Sequence, residues 1–257
     1  MSAVIEAHGA THPGTVRAQN EDRMLVDIPL GLFAVADGMG GHNAGEIASS
    51  LAVETLQAFI ERSRNDPDHT WPFGVDGALD FNGNRLRTGI KLANRRVFRE
   101  SERREQYTGM GTTLVAMLIE GTCAVLCGIG DSRIYLVRKG NCEQLTRDHT
   151  WVQLLLSQNP GMAPDSLENH AMRHVLTSVI GAQDDVDAAV SSRPVAEGDR
   201  IVLCSDGVHG PLGNAEIARI VTRAEGARAA AETLVETALD LDGRDNITAV
   251  VVSIAKQ

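Results

Sequence analysis

Cysteine is scarce in this chain and is not arranged to bind a soft metal. The 257 residues include four cysteines, Cys123, Cys127, Cys142 and Cys204, with no CxxC pair and no histidine at zinc-finger spacing. Cys123, Cys127 and Cys204 lie in apolar, strand-like runs, which favours buried, reduced core residues over redox sensing or metal binding. A domain of this length buries enough surface to fold without disulfides or a structural metal.

Positive charge is also in deficit. Lys and Arg number 24 against 34 Asp and Glu, which gives a formal net charge of -10. Because non-specific binding to nucleic acid or to anionic membranes needs a basic field, this balance argues against both kinds of partner. One predicted helix carries an arginine-rich face that could dock an acidic partner, although a solvated helix face is the simpler interpretation. Its members are Arg95, Arg96, Arg99, Arg103 and Arg104.

Long apolar runs are missing as well. The longest, residues 113–130, is broken by Glu120-Gly121 and is more typical of a hairpin than of a membrane span. Residues 1–6 contain no basic segment followed by an apolar stretch, so no secretory signal is visible. We therefore expect a soluble cytoplasmic protein.

The apolar residues that are present predict both helices and strands. Apolar side chains recur at i, i+3 and i+4 between residues 44 and 60, which predicts a helix over 43–62. Other helices are expected at 82–105, 151–157, 164–170, 214–223 and 227–240. Strands are expected at 5–11, 24–28, 32–36, 112–120, 122–127, 133–138, 142–145, 200–204 and 247–254. Hairpins that alternate with helix pairs indicate an α+β fold, and the lack of repeats or linkers favours one domain over 1–257.

Five short acidic motifs are spread along the chain, and each borders a strand-like run. They are Asn20-Glu21-Asp22, Ala36-Asp37-Gly38, Gly130-Asp131-Ser132, Ser205-Asp206-Gly207 and Arg244-Asp245-Asn246. A lone Asp-Gly is most often a turn, but the whole set is hard to assign to turns alone. Carboxylates at strand ends are well placed to meet across a fold, and several can share one site only if cations neutralise them. The motifs therefore predict a hard-metal site.

Such a site points to a reaction class. Carboxylate oxygens prefer Mg²⁺ or Mn²⁺, and two such ions about 3.5–4 Å apart lower the pKa of a shared water. Phosphoester hydrolysis is the reaction that most needs this help. Arg17, four residues before Glu21, suits a bidentate clamp on phosphate, although an ordinary surface arginine is the alternative. The glycines around Met39 do not form a GxxxxGK[ST] loop, so we expect them to let the Gly38 carbonyl approach a metal.

Several strings occur in a defined order: RAQNED at 17–22, VADGMGGH at 35–42, GMGTT at 109–113, GDSR at 130–133, LTRDH at 145–149, LCSDG at 203–207 and GRDNI at 243–247. Each string is weak alone, but the ordered set resembles the metal-dependent protein Ser/Thr phosphatases of the phosphatase 2C (PPM) family, in its bacterial branch. The likeness runs from about His8 to Val252. It implies a four-layer αββα sandwich, in which two central antiparallel β-sheets are flanked by helices.

The resemblance also implies roles for individual residues. Asp37 would bridge two Mg²⁺ or Mn²⁺ ions, Glu21 and the Gly38 carbonyl would complete one site, and Asp206 and Asp245 would hold the other. Phosphoserine or phosphothreonine in proteins would be hydrolysed by direct attack of an activated water. Residues 151–181 would form a mobile flap beside the site.

Further roles follow from the same resemblance. Asp131, with Asp206, would offer a third, weaker metal site, and Arg17 would hold the substrate phosphate. Asp22 and Asn246 would orient waters and ligands without binding metal directly.

One departure concerns the proton donor. Eukaryotic members carry a histidine near the place of Met39, and methionine cannot donate a proton. His42 does not match the spacing, and a structural role at the helix start is the simpler interpretation of that residue. Bacterial members share the methionine, and a metal-bound water could protonate the leaving oxygen, so no residue is assigned as the catalytic acid.

The leading hypothesis is therefore a phosphoprotein phosphatase that opposes a bacterial Ser/Thr kinase and acts on that kinase and its targets, with a monomer as the default state. A non-catalytic relative that binds a phosphoprotein or regulates a kinase is the first alternative, and the full set of metal carboxylates argues against it. A metal-dependent nuclease is the second alternative, and the net acidity of the chain argues against it.

Overall fold

The computed structural model describes residues 4–41, 44–64, 70–159, 161–162, 167 and 170–255. Its strands are Val4–His12 (β1), Asp22–Asp27 (β2), Leu32–Met39 (β3), Gly111–Thr112 (β4), Leu114–Glu120 (β5), Cys123–Ile129 (β6), Arg133–Arg138 (β7), Asn141–Gln144 (β8), Ser191–Pro194 (β9), Arg200–Cys204 (β10) and Ile247–Ala255 (β11). They form two antiparallel sheets. Sheet 1 has the order β1-β11-β10-β7-β8, and sheet 2 has the order β2-β3-β5-β6-β9, with β4 also paired to β3.

Six α-helices accompany the two sheets in the described part of the chain. They are Ala44–Ser63 (α1), Phe81–Arg103 (α2), Trp151–Gln158 (α3), Asp206–His209 (α4), Asn214–Arg223 (α5) and Gly226–Leu241 (α6). The apolar faces of α1 and α2 pack on sheet 2, and those of α5 and α6 pack on sheet 1. The order of layers is therefore helix, sheet, sheet, helix.

Side-chain alternation along the strands divides the core into three layers. In β3, Leu32, Ala34 and Ala36 face α1 and α2, whereas Phe33 and Val35 face sheet 1. In β10 and β11, alternate side chains likewise face α5 and α6 on one side and sheet 2 on the other. Because both faces of each sheet are buried, the central strands are almost continuously apolar in sequence, as predicted. The α+β fold, a four-layer αββα sandwich, is confirmed.

Several elements differ from the sequence predictions. The strand expected at 32–36 continues to Met39, because Gly38 and Met39 pair with Thr112 and Gly111 in β4. β9 was not predicted, since its side chains are exposed and show no apolar alternation. α4 was not predicted either, because it is a single turn. His42 and most of the helix predicted at 164–170 lie outside the described residues.

The structure also bears on the cysteines and on membrane insertion. All four cysteines are free. Cys127 and Cys204 are buried as expected, and burial raises the pKa of the Cys127 thiol to about 12. Cys123 was expected to be buried but is only half-buried, because it opens β6 beside the turn at Gly121. Within the described residues, no helix combines the length and the apolar character that a membrane span needs.

Candidate metal centre

The acidic motifs meet at one edge of the sandwich because of the strand directions. Asp22 begins β2 and is the register partner of Asp37, which lies near the end of β3. Asp131 follows β6, Asp206 follows β10, and Asp245 precedes β11. In an antiparallel sheet, the start of one strand lies beside the end of the next. These positions therefore lie at the same edge of the sandwich, and both sheets contribute to it.

Asp37 lies at the centre of this charge cluster. Burial raises its pKa well above the usual range, and the neighbouring charges of Asp22, Asp206, Asp245 and Asp131 raise it further. The pKa of Asp206 is raised by burial and then by Asp245, against a hydrogen bond with Asp37 that lowers it. Like charges this close cannot all ionise without compensation, so the cluster favours protons or cations.

Threonine hydroxyls fix the main chain of Asp37. Its N–H donates to Thr113 Oγ1 at 3.0 Å, and its carbonyl accepts bonds from the Thr113 N–H at 2.8 Å and from Thr112 Oγ1 at 2.9 Å. Thr113 Oγ1 also lies 2.7 Å from Ser132 Oγ, next to Asp131. The backbones that carry Asp37 and Asp131 are thus joined through two hydroxyls.

Glu21 is positioned from three sides. Its N–H donates to Asn246 Oδ1 at 2.8 Å, and its carbonyl accepts bonds from Ser49 Oγ at 2.6 Å and the Gly38 N–H at 3.3 Å. Its carboxylate accepts a hydrogen bond from the backbone of Gly45. A Cβ atom at Gly45 would lie 2.8 Å from the carboxyl carbon of Glu21. The same Cβ atom would lie 2.8 Å from the carbonyl carbon of Gly38, a backbone atom, so glycine is needed at the start of α1.

Asp22 and Asn246 hold neighbouring segments together. Asp22 is 7% exposed, and Ser205 Oγ donates to its Oδ2 at 2.9 Å. Burial raises the pKa of Asp22 to about 7. The amide of Asn246 donates to the carbonyls of Pro13 and Gln19, both at 2.9 Å. Asn246 thus connects the chain before Glu21 with the chain before β11.

Arg17 and Asp245 form an ion pair at the mouth of the site. Arg17 Nη2 donates to Asp245 Oδ2 at 2.8 Å, while the Asn246 N–H donates to the other carboxylate oxygen at 2.9 Å. Both charged side chains are partly exposed, at 55% and 41%. The hydrogen bond that Arg17 donates to Asp245 raises the pKa of Arg17. A solvent-accessible guanidinium therefore lies beside the acidic cluster.

The donor set fits a hard cation. Oδ1 of Asp206 and Oδ1 of Asp22 are buried and have no hydrogen-bond partner among the described residues, an arrangement that costs free energy unless a cation or a proton compensates it. Within the same residues, no three Asp, Glu, His or Cys side chains are close enough to hold one ion, and Asp245 is engaged by Arg17. Mg²⁺ usually takes only one or two carboxylates and several waters, so this spacing is compatible with it.

Supporting residues were largely missed at the sequence level. Thr113, Ser132 and Ser205 occur within the ordered strings, but nothing in the strings shows which hydroxyl bonds which backbone. Gly45 and His209 carried no signal at all. His209 Nε2 lies 2.9 Å from the main-chain carbonyl oxygen of Asp131. Contacts of this kind depend on tertiary placement.

The raised carboxyl pKa values predict a pH dependence of stability. The pKa values of Asp22 and Asp131 are both about 7, mainly through burial, so the folded chain binds more protons than the unfolded chain above their ordinary range. Stability in a chelator should then fall as pH rises. Burial lowers the pKa values of His149 and His209, which makes stability rise with pH. This opposite effect is confined to pH values below about 6.5, the ordinary pKa of histidine.

Thermal unfolding in EDTA tests this between pH 6.5 and 8. We expect the Tm to fall across that window, and Asp22→Asn to flatten the slope. Saturating Mn²⁺ should reduce the slope, because the metal binds deprotonated carboxylates. A Tm that rises with pH in EDTA would contradict the electrostatic picture.

Comparison with known proteins places the chain among phosphatases. A family model described as protein phosphatase 2C matches residues 15–240. The serine/threonine protein phosphatase PstP of Mycobacterium tuberculosis is 35% identical over 254 residues, which cover 99% of this chain and 46% of PstP. This chain thus spans about half the length of that relative. The protein phosphatase PhpP of Streptococcus pneumoniae is 34% identical over 230 residues, 88% of this chain and 87% of PhpP.

Solved structures agree with the sequence comparison. The catalytic domain of PstP in complex with two manganese ions superposes with a TM-score of 0.83 at 32% identity, covering 99% of this chain and 100% of that domain. The match extends over both sheets and the flanking helices. The family model, the sequence similarity and the shared fold agree, and the chain belongs to the protein phosphatase 2C family.

Proposed function

We propose that the chain is a metal-dependent phosphatase that removes phosphate from phosphoserine and phosphothreonine in proteins. The observation that carries the proposal is the cluster of interacting carboxylates around Asp37, in a chain of the protein phosphatase 2C family. Two Mg²⁺ or Mn²⁺ ions would supply a water of lowered pKa as the nucleophile, which suits phosphoester hydrolysis. The two manganese ions bound by the PstP catalytic domain support this choice of metal.

The carboxylates take unequal roles in this proposal. Asp37 would be a ligand of both ions, since it interacts with the acidic side chains of both sheets. Asp206 and Asp245 would hold one ion from sheet 1, and Glu21 with the Gly38 carbonyl would hold the other from sheet 2. A Cβ atom at Gly38 would lie 2.1 Å from the Gly45 carbonyl oxygen, so glycine is required there.

Other residues support the reaction without bridging metals. Asp131, with Asp206, would hold a third, weaker ion. Burial, and then the charge of Asp206, raise the pKa of the Asp131 carboxyl group. Asp22 and Asn246 orient waters and ligands. Arg17 binds the substrate phosphate, which its partial exposure beside Asp245 supports.

The proposal extends to organisation and partners. Residues 1–257 form one phosphatase domain, with a flap at 151–181 that controls substrate access. The chain acts as a monomer on phosphoproteins, opposes a Ser/Thr kinase and shares targets with it. A cytoplasmic location suits four free cysteines, because thiols stay reduced there.

A phosphatase assay with metal removal tests the function. With phosphoserine and phosphothreonine peptides and Mn²⁺, we expect phosphate release, loss of activity to background in EDTA, and recovery when Mn²⁺ is restored. The physical reason is that the repelling carboxylates around Asp37 need cations to act together. Release of inorganic phosphate measures the reaction directly.

Two further substrates separate the alternatives. Single-stranded and duplex DNA should remain intact under the same conditions, as the net charge of -10 requires. Cleavage of DNA without phosphopeptide hydrolysis would replace the proposal with a nuclease. Phosphopeptide binding without turnover in Mn²⁺ or Mg²⁺ would identify a non-catalytic relative instead.

A further inference from the structure

The Asp131 loop, residues 130–132, is tied to distant parts of the chain at each of its residues. At its first residue, the Gly130 N–H donates to His149 Nδ1 at 3.3 Å, and the His149 N–H donates to the Gly130 carbonyl at 2.8 Å. At its last residue, Ser132 Oγ lies 2.7 Å from Thr113 Oγ1. These contacts fix the two ends of the loop but not its middle.

His209 fixes the middle of the loop. Its Nε2 lies 2.9 Å from the Asp131 carbonyl oxygen, and because a carbonyl can only accept, the shared proton is on Nε2. His209 ends α4, three residues after Asp206. Burial, and then the charge of Arg133, lower the pKa of His209 to about 4, so the ring is neutral near pH 7.

The adjacent arginine cannot replace this donor. Arg133 Nε and Nη2 bind the carboxylate of Asp148 at 3.0 and 2.7 Å, and its Nη1 donates to the Tyr135 hydroxyl at 2.9 Å. Its guanidinium is therefore committed to other partners. Among the described residues, His209 is the side chain that connects Asp131 to the helix of Asp206.

The hydrogen bond from His209 to Asp131 opposes a repulsion between Asp131 and Asp206. Asp131 and Asp206 raise each other's energy when both are ionised, and the charge of Asp206 is the largest contribution after burial to the raised pKa of Asp131. A loop held only at Gly130 and Ser132 would let the Asp131 carboxylate turn away from Asp206. The bond from His209 holds the main chain of Asp131 close to α4, the helix that carries Asp206.

We propose that His209 is a positioning residue for a cation shared by Asp131 and Asp206, acting through its hydrogen bond to the Asp131 carbonyl. The proposal rests on the proposed function only in taking these two carboxylates as ligands. His209 touches neither the substrate nor the cation. Its effect is to set the distance between α4 and the Asp131 loop.

Three substitutions at His209 test the role. Gln can place an amide N–H near the position of Nε2, whereas Asn is too short and Leu has no donor. We expect His209→Leu and His209→Asn to weaken the weakest Mn²⁺ site by about 10- to 100-fold, the usual cost of losing a group that orients a metal ligand. His209→Gln should stay within a few-fold of the wild type, and the tighter sites should not change.

The readout is calorimetric titration with Mn²⁺ alone, so it does not depend on catalysis. His8→Leu is the matched control, because His8 lies on β1 and contacts Glu232 on α6 instead of the acidic cluster. Should His209→Leu fail to fold, His209→Asn still decides the question. The proposal would be overturned if the wild type and all three variants gave the same titration. It would also be overturned if the wild type showed no weak Mn²⁺ site.

A parallel phosphopeptide assay keeps the two proposals apart. If the wild type binds Mn²⁺ in the predicted pattern but releases no phosphate, the proposed function fails while the role of His209 stands. If His209→Gln loses the weak site as completely as His209→Leu, the hydrogen bond is not the cause and the positioning role is wrong.

Discussion

Asp37→Asn is expected to reduce hydrolysis of p-nitrophenyl phosphate in Mn²⁺ by at least about 10³-fold. A metal site supplies several kcal/mol of transition-state stabilisation, and each 1.36 kcal/mol corresponds to a factor of about ten. Asp37 interacts with carboxylates of both sheets, so its loss should remove the bridge on which both ions depend. Steady-state kcat at saturating Mn²⁺ measures the effect.

The same substitution should not unfold the protein. Burial and four neighbouring acidic groups raise the pKa of Asp37, so an uncharged amide relieves repulsion in the chelated state. We expect the Tm of Asp37→Asn in EDTA to equal or exceed that of the wild type. An inactive variant with a higher Tm would separate a functional role from a structural one.

Two comparisons make the result decisive. Asp206→Asn should also abolish activity, because the charge of this carboxylate acts on Asp37 and one of its buried oxygens has no partner among the described residues. Asp240→Asn, on the exposed side of α6, is the matched control and should leave activity unchanged. Full activity in both Asp37→Asn and Asp206→Asn would refute the proposed mechanism.

Gly38→Ala is expected to damage both stability and the metal centre. A Cβ atom there would lie 2.1 Å from the Gly45 carbonyl oxygen and 2.7 Å from that of Glu21, and both are backbone atoms. The end of β3 must then move away from α1 and from Glu21. Overpacking costs about 1–3 kcal/mol or more, and each kcal/mol lowers Tm by about 2–4 °C, so we expect a fall of about 5 °C or more.

Activity should fall further than stability alone explains. A displacement of about 1 Å can cost about 100-fold in rate, and Gly38 and Glu21 lie in the same hydrogen-bonded contact. Gly41→Ala is the matched control, since a Cβ atom at Gly41 meets nothing within 4 Å. If Gly38→Ala kept the wild-type Tm and Mn²⁺ affinity, the contact between the end of β3 and the start of α1 would tolerate a side chain despite its geometry.

Most of the fold was predictable because its strands and helices are strongly patterned. The stripe of α1 and the apolar runs of β10 and β11 follow from burial on one or both faces. β9 escaped prediction because its four residues are exposed and are held by pairing with β6 rather than by an apolar face. The helical turn of α4 is too short to establish a period.

The candidate site was also predictable only in part. Its carboxylates were predictable, because acidic residues at strand ends are unusual enough to stand out in sequence. The groups that orient them were not, because Thr113, Gly45 and His209 matter through contacts with residues far away in the sequence. Single residues of this kind produce no periodic pattern in the sequence. Only the folded structure shows which groups they contact.

The position of β11 has a consequence for biosynthesis. β1 pairs with β11 along its whole length, from Val4 with Ala255 to His12 with Ile247, although β11 is synthesised long after β1. At about 5–20 residues per second, β1 waits about 10–50 s for its partner to leave the ribosome. Asp245 emerges with β11, so the acidic cluster is also completed last. The proposed phosphatase activity therefore has to wait until β11 has been synthesised.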